Sequence, residues 1–354
     1  MKHPEEFIRA TVRPLAPYGP PRDPAPVPLH LNESPTDLPD DLKREIVAEW
    51  LAADWSKYPI TDGAGLARDL ATAWGVDPTG VMVGNGSNEL LQLLLLACID
   101  PGDKIVVCAP SFGLYTLQAS ALGARIAAVR LREGTGFRFP VDAILQEAEG
   151  AKLILIASPN NPTGTTLKFD EASRLAEAPC LVAIDEAYRD FCEQDFAPLL
   201  RTHARLVLFR TFSKALAAAS LRCGALLASP ALCAELRKVQ LPYNLSAFTC
   251  LVARTLVARP DLVQARVELV KSERARVAAR LAGLGVAVHA SGANFLLFEQ
   301  VRRKPSELHA ALFARGVLIR NVSSAPDLAD ALRVSIGAPK ANDAFLLAMR
   351  SELA

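Results

Sequence analysis

The stretch from Phe209 to Gly224 reads FRTFSKALAAASLRCG. An apolar run ends at Phe209, and Arg210, Thr211, Ser213 and Lys214 are expected to crowd into the turn that follows. Arg222 comes shortly after, still within the stretch. A lysine amine can form a Schiff base with an aldehyde, while two hydroxyls and a guanidinium supply donors to an anion. These residue types would hold a molecule that carries an aldehyde and a phosphate. Taken alone they also suit a solvated basic loop. Other segments must bring further groups to the same place before the first reading gains ground.

The elements that would position them follow a regular alternation. Val81-Met82-Val83 reads as a short strand, Gly84-Asn85-Gly86-Ser87-Asn88 as a tight turn and Glu89 to Cys98 as a helix. KIVVC, ending at Cys108, Ala124 to Arg130, Lys152 to Ala157, Leu181 to Ile184, Leu206 to Phe209 and Cys223 to Ala228 read as further strands. Helices are expected after Phe112 and over Asp170 to Ala176. Strands that are almost continuously apolar and alternate with helices indicate an α/β fold with a mostly parallel sheet covered on both faces. In such sheets ligands gather beyond the C-terminal strand ends. The Gly-rich turn, Asn161, Asp185 and Lys214 all fall at such ends.

That shared edge suggests a site. The turn at Gly86, Ser87 and Asn88 places backbone N–H groups and a positive helix end where an anion can sit. A plain helix start with Ser87 as N-cap would look the same. Asp185 would place a carboxylate at the edge of a buried region, where it needs a cationic partner. The ring nitrogen of pyridoxal phosphate is such a partner, and that cofactor also carries the aldehyde and the phosphate. Tyr188 and Asn161 could donate to its phenolic oxygen, and Phe112 offers a flat face for stacking. The alternative for Asp185 is a strand-end cap or a salt-bridge partner.

Composition bounds the rest. The chain has 354 residues, 51% of them hydrophobic, so two domains or one large α/β domain are expected. A net charge of +1 gives no reason to expect nucleic acid or an anionic membrane as a partner. Seven cysteines are scattered without a C-x-x-C pair, several inside apolar runs. They read as reduced buried thiols in a cytoplasmic protein, and no metal site is expected. The opening MKHPEEFIRA has no apolar signal core, and the greasiest segment, Leu90 to Ile99, is too short to span a bilayer.

Residues 14–39 are rich in proline, so an extended arm is expected there, with Tyr18, Asn32 and Glu33 able to reach a cleft. Asp40 to Leu51 and Leu66 to Trp74 carry helical spacing, with Tyr58 in the loop between them. Beyond a long charged helix over Asp261 to Leu284, the tail reads as a small α+β lobe. Its strands are Val286 to His289, Asn294 to Phe298, Val317 to Arg320 and Leu332 to Ile336, and its helices are Pro305 to Arg315 and Ala341 to Leu353. Arg320 and Arg333 fall on these strands. Each is either a structural ion pair or a forked grip on an anion.

Taken together, LNESP at 31–35, KYP at 57–59, GNGSNE at 84–89, PSFGLY at 110–115, SPNNPTG at 158–164, DEAY at 185–188, RTFSK at 210–214, PYNLS at 242–246, ANFLL at 293–297 and RVSIG at 333–337 resemble the pyridoxal-phosphate-dependent aminotransferases of fold type I. Within them the histidinol-phosphate branch is the most similar. The resemblance implies that Lys214 is the Schiff-base lysine and proton shuttle, that Asp185 pairs with the pyridine nitrogen, and that Tyr188 and Asn161 bind the phenolic oxygen. It implies that Phe112 stacks on the ring and that Gly86, Ser87, Asn88, Thr211, Ser213 and Arg222 hold the phosphate. Tyr58 would reach the cofactor of a neighbouring subunit, which implies a homodimer with shared sites. Tyr18, Asn32, Arg320 and Arg333 would contact substrate, an amino donor and a 2-oxo acid in turn. The implied division is an arm over 1–40, a cofactor-binding domain over 41–260 and a small domain over 261–354. Departures from the family pattern include Ser34, Lys57, Ile60, Ala225 and the run ALAAASLRCG after Lys214. Rival readings are an aromatic or other amino-acid aminotransferase, a threonine-phosphate decarboxylase of the same fold, and the sensing domain of a transcription regulator. The last lacks any DNA-binding segment in this sequence.

Overall fold

The computed structural model describes residues 3–19, 24–59, 63–133, 136–300 and 302–353. Ile60 lies outside them. The strands, in chain order, are β1 (Val27–Pro28), β2 (Val81–Gly84), β3 (Lys104–Ala109), β4 (Arg125–Arg130), β5 (Arg132–Glu133), β6 (Gly136–Phe137), β7 (Leu153–Ala157) and β8 (Leu181–Asp185). They continue with β9 (Leu206–Thr211), β10 (Gly224–Leu227), β11 (Ala287–Val288), β12 (Phe295–Glu299), β13 (Val317–Leu318), β14 (Arg320–Asn321) and β15 (Ala331–Ser335).

Seven strands form one sheet in the order β2-β10-β9-β8-β7-β3-β4. Neighbours from β9 to β4 run parallel, and only β10 is antiparallel to both of its partners. The mostly parallel α/β sheet expected from the apolar runs is therefore the one found. Its alternation explains why those runs lack polar gaps. Val182, Ile184, Leu206 and Leu208 pack into one core, while Ala183, Val207 and Phe209 pack into another on the opposite face. Both faces are covered, so both phases of the pleat are apolar.

The same period of two corrects one expectation. Arg210 and Thr211 do not lie in the turn after the strand; they are its last two residues. They therefore point to opposite faces. Thr211 faces the cavity described below, whereas Arg210 is buried on the other side, with its guanidinium 4.7 Å from the Trp74 ring. Its Nε donates to Glu186 Oε2 at 2.8 Å and its Nη2 to Asp195 Oδ1 at 2.7 Å. Arg210 thus has no part in the anion cradle. Glu186, next to Asp185, takes the opposite face by the same rule.

The Glu186 side chain is fully buried, so removing its cation strands a charge away from water. Arg210→Ala is expected to cost about 3–5 kcal/mol of stability. Denaturant unfolding of the two proteins checks this, and a loss under about 1 kcal/mol would refute it.

A second sheet, β11-β12-β15-β14, is antiparallel. The segment expected as one strand over Val317 to Arg320 is two short ones. β13 pairs with β1 of the proline-rich arm, and β14 pairs with β15. The arm thereby becomes part of this lobe: Ser335 N donates to Leu29 O at 2.9 Å, and Leu29 joins the lobe's core. Helix Pro260–Ala282, 23 residues long, packs against this lobe through Val267, Val270 and Val277. No helix of the described residues is long and apolar enough to cross a membrane.

Candidate active site

A cavity of about 390 Å³ opens where the parallel strands end and the second lobe begins. Its walls bring together groups from the strand ends of the large sheet, the arm and the small sheet.

One end is built to receive an anion. Helix Ser87–Cys98 starts directly after β2, so its unpaired N–H groups face the cavity edge. The helix includes Ser87 itself, and Gly86 is the residue that caps it. Arg222 Nη1 donates to Ser213 Oγ at 3.1 Å, and Thr211 Oγ1 lies 3.0 Å from the same oxygen. Two glycines make this crowding possible. Gly86 has φ +82°, and a Cβ there would meet Arg222 Nη2 at 2.5 Å. At Gly224 a Cβ would lie 2.4 Å from Ser87 N. Ser87, Asn88, Thr211, Ser213 and Arg222 line the cavity, with Gly86 just behind.

Asp185 closes β8 on the Ala183 face, which turns its carboxylate inward. Tyr115 Oη donates to its Oδ2 at 2.7 Å, and Ala187 N donates to its Oδ1 at 3.0 Å. Burial pushes this carboxyl above its usual range, and those two donors oppose the shift. A cationic ring nitrogen would oppose it further. Tyr115 is only 1% exposed, and burial followed by the Asp185 charge raises its hydroxyl well above the usual value, so it remains a donor.

Lys214 follows the turn after β9. Its Nζ donates to Asn32 O at 2.8 Å and to Leu31 O at 3.1 Å. Burial, reinforced by Arg333 and Arg222, pushes the amine down to about 7, against the pull of Glu33 and Asp185. A large fraction is therefore neutral, and so nucleophilic, near neutral pH. The Tyr188 ring centre lies 5.6 Å from this amine. Asn32 Nδ2 donates to Tyr188 Oη at 3.0 Å, so the phenol accepts there and keeps its own hydrogen for another partner.

The other end carries two guanidiniums. Arg320 and Arg333 are direct cross-strand partners on β14 and β15. Like charges placed opposite one another are destabilising unless an anion lies between them. Neither forms an ion pair with a carboxylate among the described residues, which leaves the anion grip as the better of the two readings above. Arg333 Nη1 donates to Asn161 Oδ1 at 2.5 Å and its Nη2 to His30 O at 2.6 Å. Burial lowers the Arg333 guanidinium to about 10, still charged at neutral pH. Tyr18 and Phe112 meet edge to face, with ring centres 5.5 Å apart, and both line the cavity.

Tyr58 stands apart from these groups. It is 80% exposed, stacks on Tyr243 at 4.5 Å and does not reach the cavity of its own chain. Sequence reasoning missed Tyr115, whose only signal is its position three residues after Phe112, in the first turn of the helix that follows. It also missed the support that Asn294 and Ser335 give to the arm. The cavity holds what pyridoxal phosphate needs. An anion cradle, an inward carboxylate short of a cation and a partly neutral lysine line one space.

Fold and site together define the class of α/β enzymes that use pyridoxal phosphate. The chain belongs to the class I and II aminotransferases, whose family model matches residues 25–348. A relative named histidinol-phosphate aminotransferase in Ruminiclostridium cellulolyticum is 33% identical over 97% of this chain and 97% of its own. One of the same name in Chlorobium phaeobacteroides is 38% identical over 91% of this chain and 90% of its own. The fold matches the crystal structure of histidinol-phosphate aminotransferase from Sinorhizobium meliloti in complex with pyridoxal-5'-phosphate. That match has a TM-score of 0.86 at 22% identity and covers 98% of this chain and 97% of the other.

Proposed function

We propose that this chain is a pyridoxal-phosphate-dependent aminotransferase that takes the amino group of histidinol phosphate and passes it to 2-oxoglutarate, a step of histidine biosynthesis. The single observation that carries the reading is the cavity itself, with Lys214 and Asp185 between a phosphate cradle and a pair of arginines. The named relatives supply the substrate.

Bound pyridoxal phosphate would supply an aldehyde that captures a primary amine and a ring that accepts an electron pair. The chain supplies everything else. Ser87, Asn88, Thr211, Ser213 and Arg222, with the Gly86 backbone, fix the phosphate. Asp185 would face the ring nitrogen and favour its protonated form, and Tyr115 Oη holds the carboxylate in place. Tyr188 and Asn161 face the phenolic oxygen, and Phe112 covers one ring face. Lys214 Nζ would hold the cofactor until the substrate amine displaces it, and the freed amine would then take the proton from the substrate carbon that bears the amino group.

The opposed arginines account for substrate alternation. Histidinol phosphate carries a phosphate and no carboxylate, whereas the second substrate carries carboxylates. Forked cations accept either anion in the same place, and Tyr18 and Asn32 border that place.

The reading extends to assembly and setting. The chain divides into an arm over 1–40, a cofactor domain over 41–260 and a small domain over 261–354. Two copies share their sites, with the exposed Tyr58 of each reaching the other's phosphate cradle. The seven cysteines, free among the described residues, suit the cytoplasm.

Half-reactions test the substrate. With the cofactor-loaded protein, histidinol phosphate should bleach the visible band at least about 100-fold faster per unit concentration than phenylalanine, which offers neither the phosphate nor the imidazole to the pocket. Equal rates would refute the assignment, and carbon dioxide released from threonine phosphate would favour the decarboxylase.

A further inference from the structure

Asn32 sits at the junction of the arm and the cavity with φ +53°, a left-handed conformation uncommon for residues other than glycine and best tolerated among them by asparagine. Its support comes from the small sheet. Ser335 Oγ accepts from Asn32 N at 2.8 Å and donates to Asn32 Oδ1 at 3.0 Å. Asn294 Nδ2 donates to Asn32 O at 3.0 Å. Ser335 and Arg333 are two residues apart on β15, so they share one face of that strand and grip neighbouring points of the arm. Asn32 and Ser335 are both almost completely buried, so water does not replace these bonds.

This two-point clamp has a chemical consequence. One hydroxyl hydrogen belongs to Ser335, and it is spent on Asn32 Oδ1. That fixes which end of the Asn32 amide faces Tyr188: the Nδ2 end, as a donor. Tyr188 then accepts from Asn32 and its own hydrogen is directed elsewhere, into the cavity. With the clamp removed, the amide is free to turn and present Oδ1. Tyr188 would then donate back to Asn32 and be lost to the cavity as a donor.

We propose that Ser335 is a positioning residue for the reaction: through Asn32 it sets the direction in which Tyr188 donates its hydrogen bond. The inference rests on the functional reading above, in that the acceptor in the cavity is the phenolic oxygen of the cofactor. Ser335 itself does not line the cavity. The charged and titratable groups that face Tyr188 are Arg333 on β15, Asp185 on β8, Tyr18 on the arm and Lys214 after β9. Ser335→Ala changes none of them, so a change in titration reports the hydroxyl direction.

A donor to the phenolic oxygen stabilises its negative form and so makes the adjacent imine proton easier to remove. The experiment is a pH titration of the visible absorption that develops when pyridoxal phosphate is added to the full-length protein. Ser335→Ala should raise the midpoint by about one to two units, the effect of losing one hydrogen bond to a charged acceptor. Ser335→Thr keeps the hydroxyl and should restore the original midpoint. Should Ser335→Ala fail to fold, Ser335→Cys carries the same measurement, because its thiol is a weak donor of similar size. An unchanged midpoint in a folded Ser335→Ala or Ser335→Cys protein overturns the proposal, even if melting temperature falls. A native protein that develops no visible band at all overturns the functional reading instead.

Discussion

Lys214→Ala should reduce amino transfer by at least about 10⁴-fold, the upper range for loss of a general base, because the nucleophile goes with it. The argument is one of unique placement. Its amine enters the cavity beside Asp185 and Tyr188, held by two backbone carbonyls of the arm. Burial makes a large fraction of it neutral near pH 7, whereas an exposed lysine would be almost wholly protonated. No other lysine lines the cavity among the described residues, so none can take over. Lys214→Arg should be equally inactive, since a guanidinium keeps the charge but does not condense with an aldehyde or lose a proton at neutral pH. Single-turnover rates with saturating amine separate this from weakened binding. Activity within 10-fold of native in either variant would overturn the assignment.

The second large effect is expected at Asp185. Asp185→Asn keeps the shape of the side chain and removes its charge. Burial already disfavours the carboxylate, and Tyr115 Oη and Ala187 N hold it in place against that cost. A carboxylate buried at this cost calls for a cationic partner, and the positive ring nitrogen is one that fits. The neutral amide cannot hold that nitrogen protonated, so electron withdrawal fails when the substrate proton leaves. The expected loss is about 10²- to 10³-fold or more in the chemical step, as for other buried electrostatic groups at reacting centres. Cofactor affinity should fall much less, because the phosphate cradle is untouched. Equilibrium dialysis beside single-turnover rates makes the comparison. A variant that binds the cofactor poorly yet turns over normally once loaded would contradict this role.

The legible part of the fold was the part governed by simple periodicity. Strands β7, β8 and β9 are continuous apolar runs because both of their faces are covered, and the groups at their ends, Asn161 and Asp185, could be placed at once. What pattern alone did not give depends on which phase of a strand, or which partner, a residue takes. Arg210 and Thr211 are adjacent in a polar-looking string, yet one step along a strand sends them to opposite faces. The run Val317 to Arg320 reads as one strand, but its two halves pair with segments almost three hundred residues away and a dozen residues away, respectively. Tyr115 looks like an ordinary core aromatic until the carboxylate it supports is in view. Ser335 and Asn294 gain meaning only from the arm they hold, a contact across most of the chain. The motifs therefore located the groups that face the cavity better than the groups that orient them.

The central claim is that one lysine and one aspartate share a cavity shaped for an aldehyde-bearing ring, and the most direct test is where the cofactor becomes attached. The full-length protein is mixed with pyridoxal phosphate, reduced with borohydride, digested and mapped by mass. Attachment should fall on the peptide containing Lys214, at close to one per chain, and disappear from that peptide in Lys214→Ala. Attachment spread over surface lysines with none at Lys214 would contradict the account.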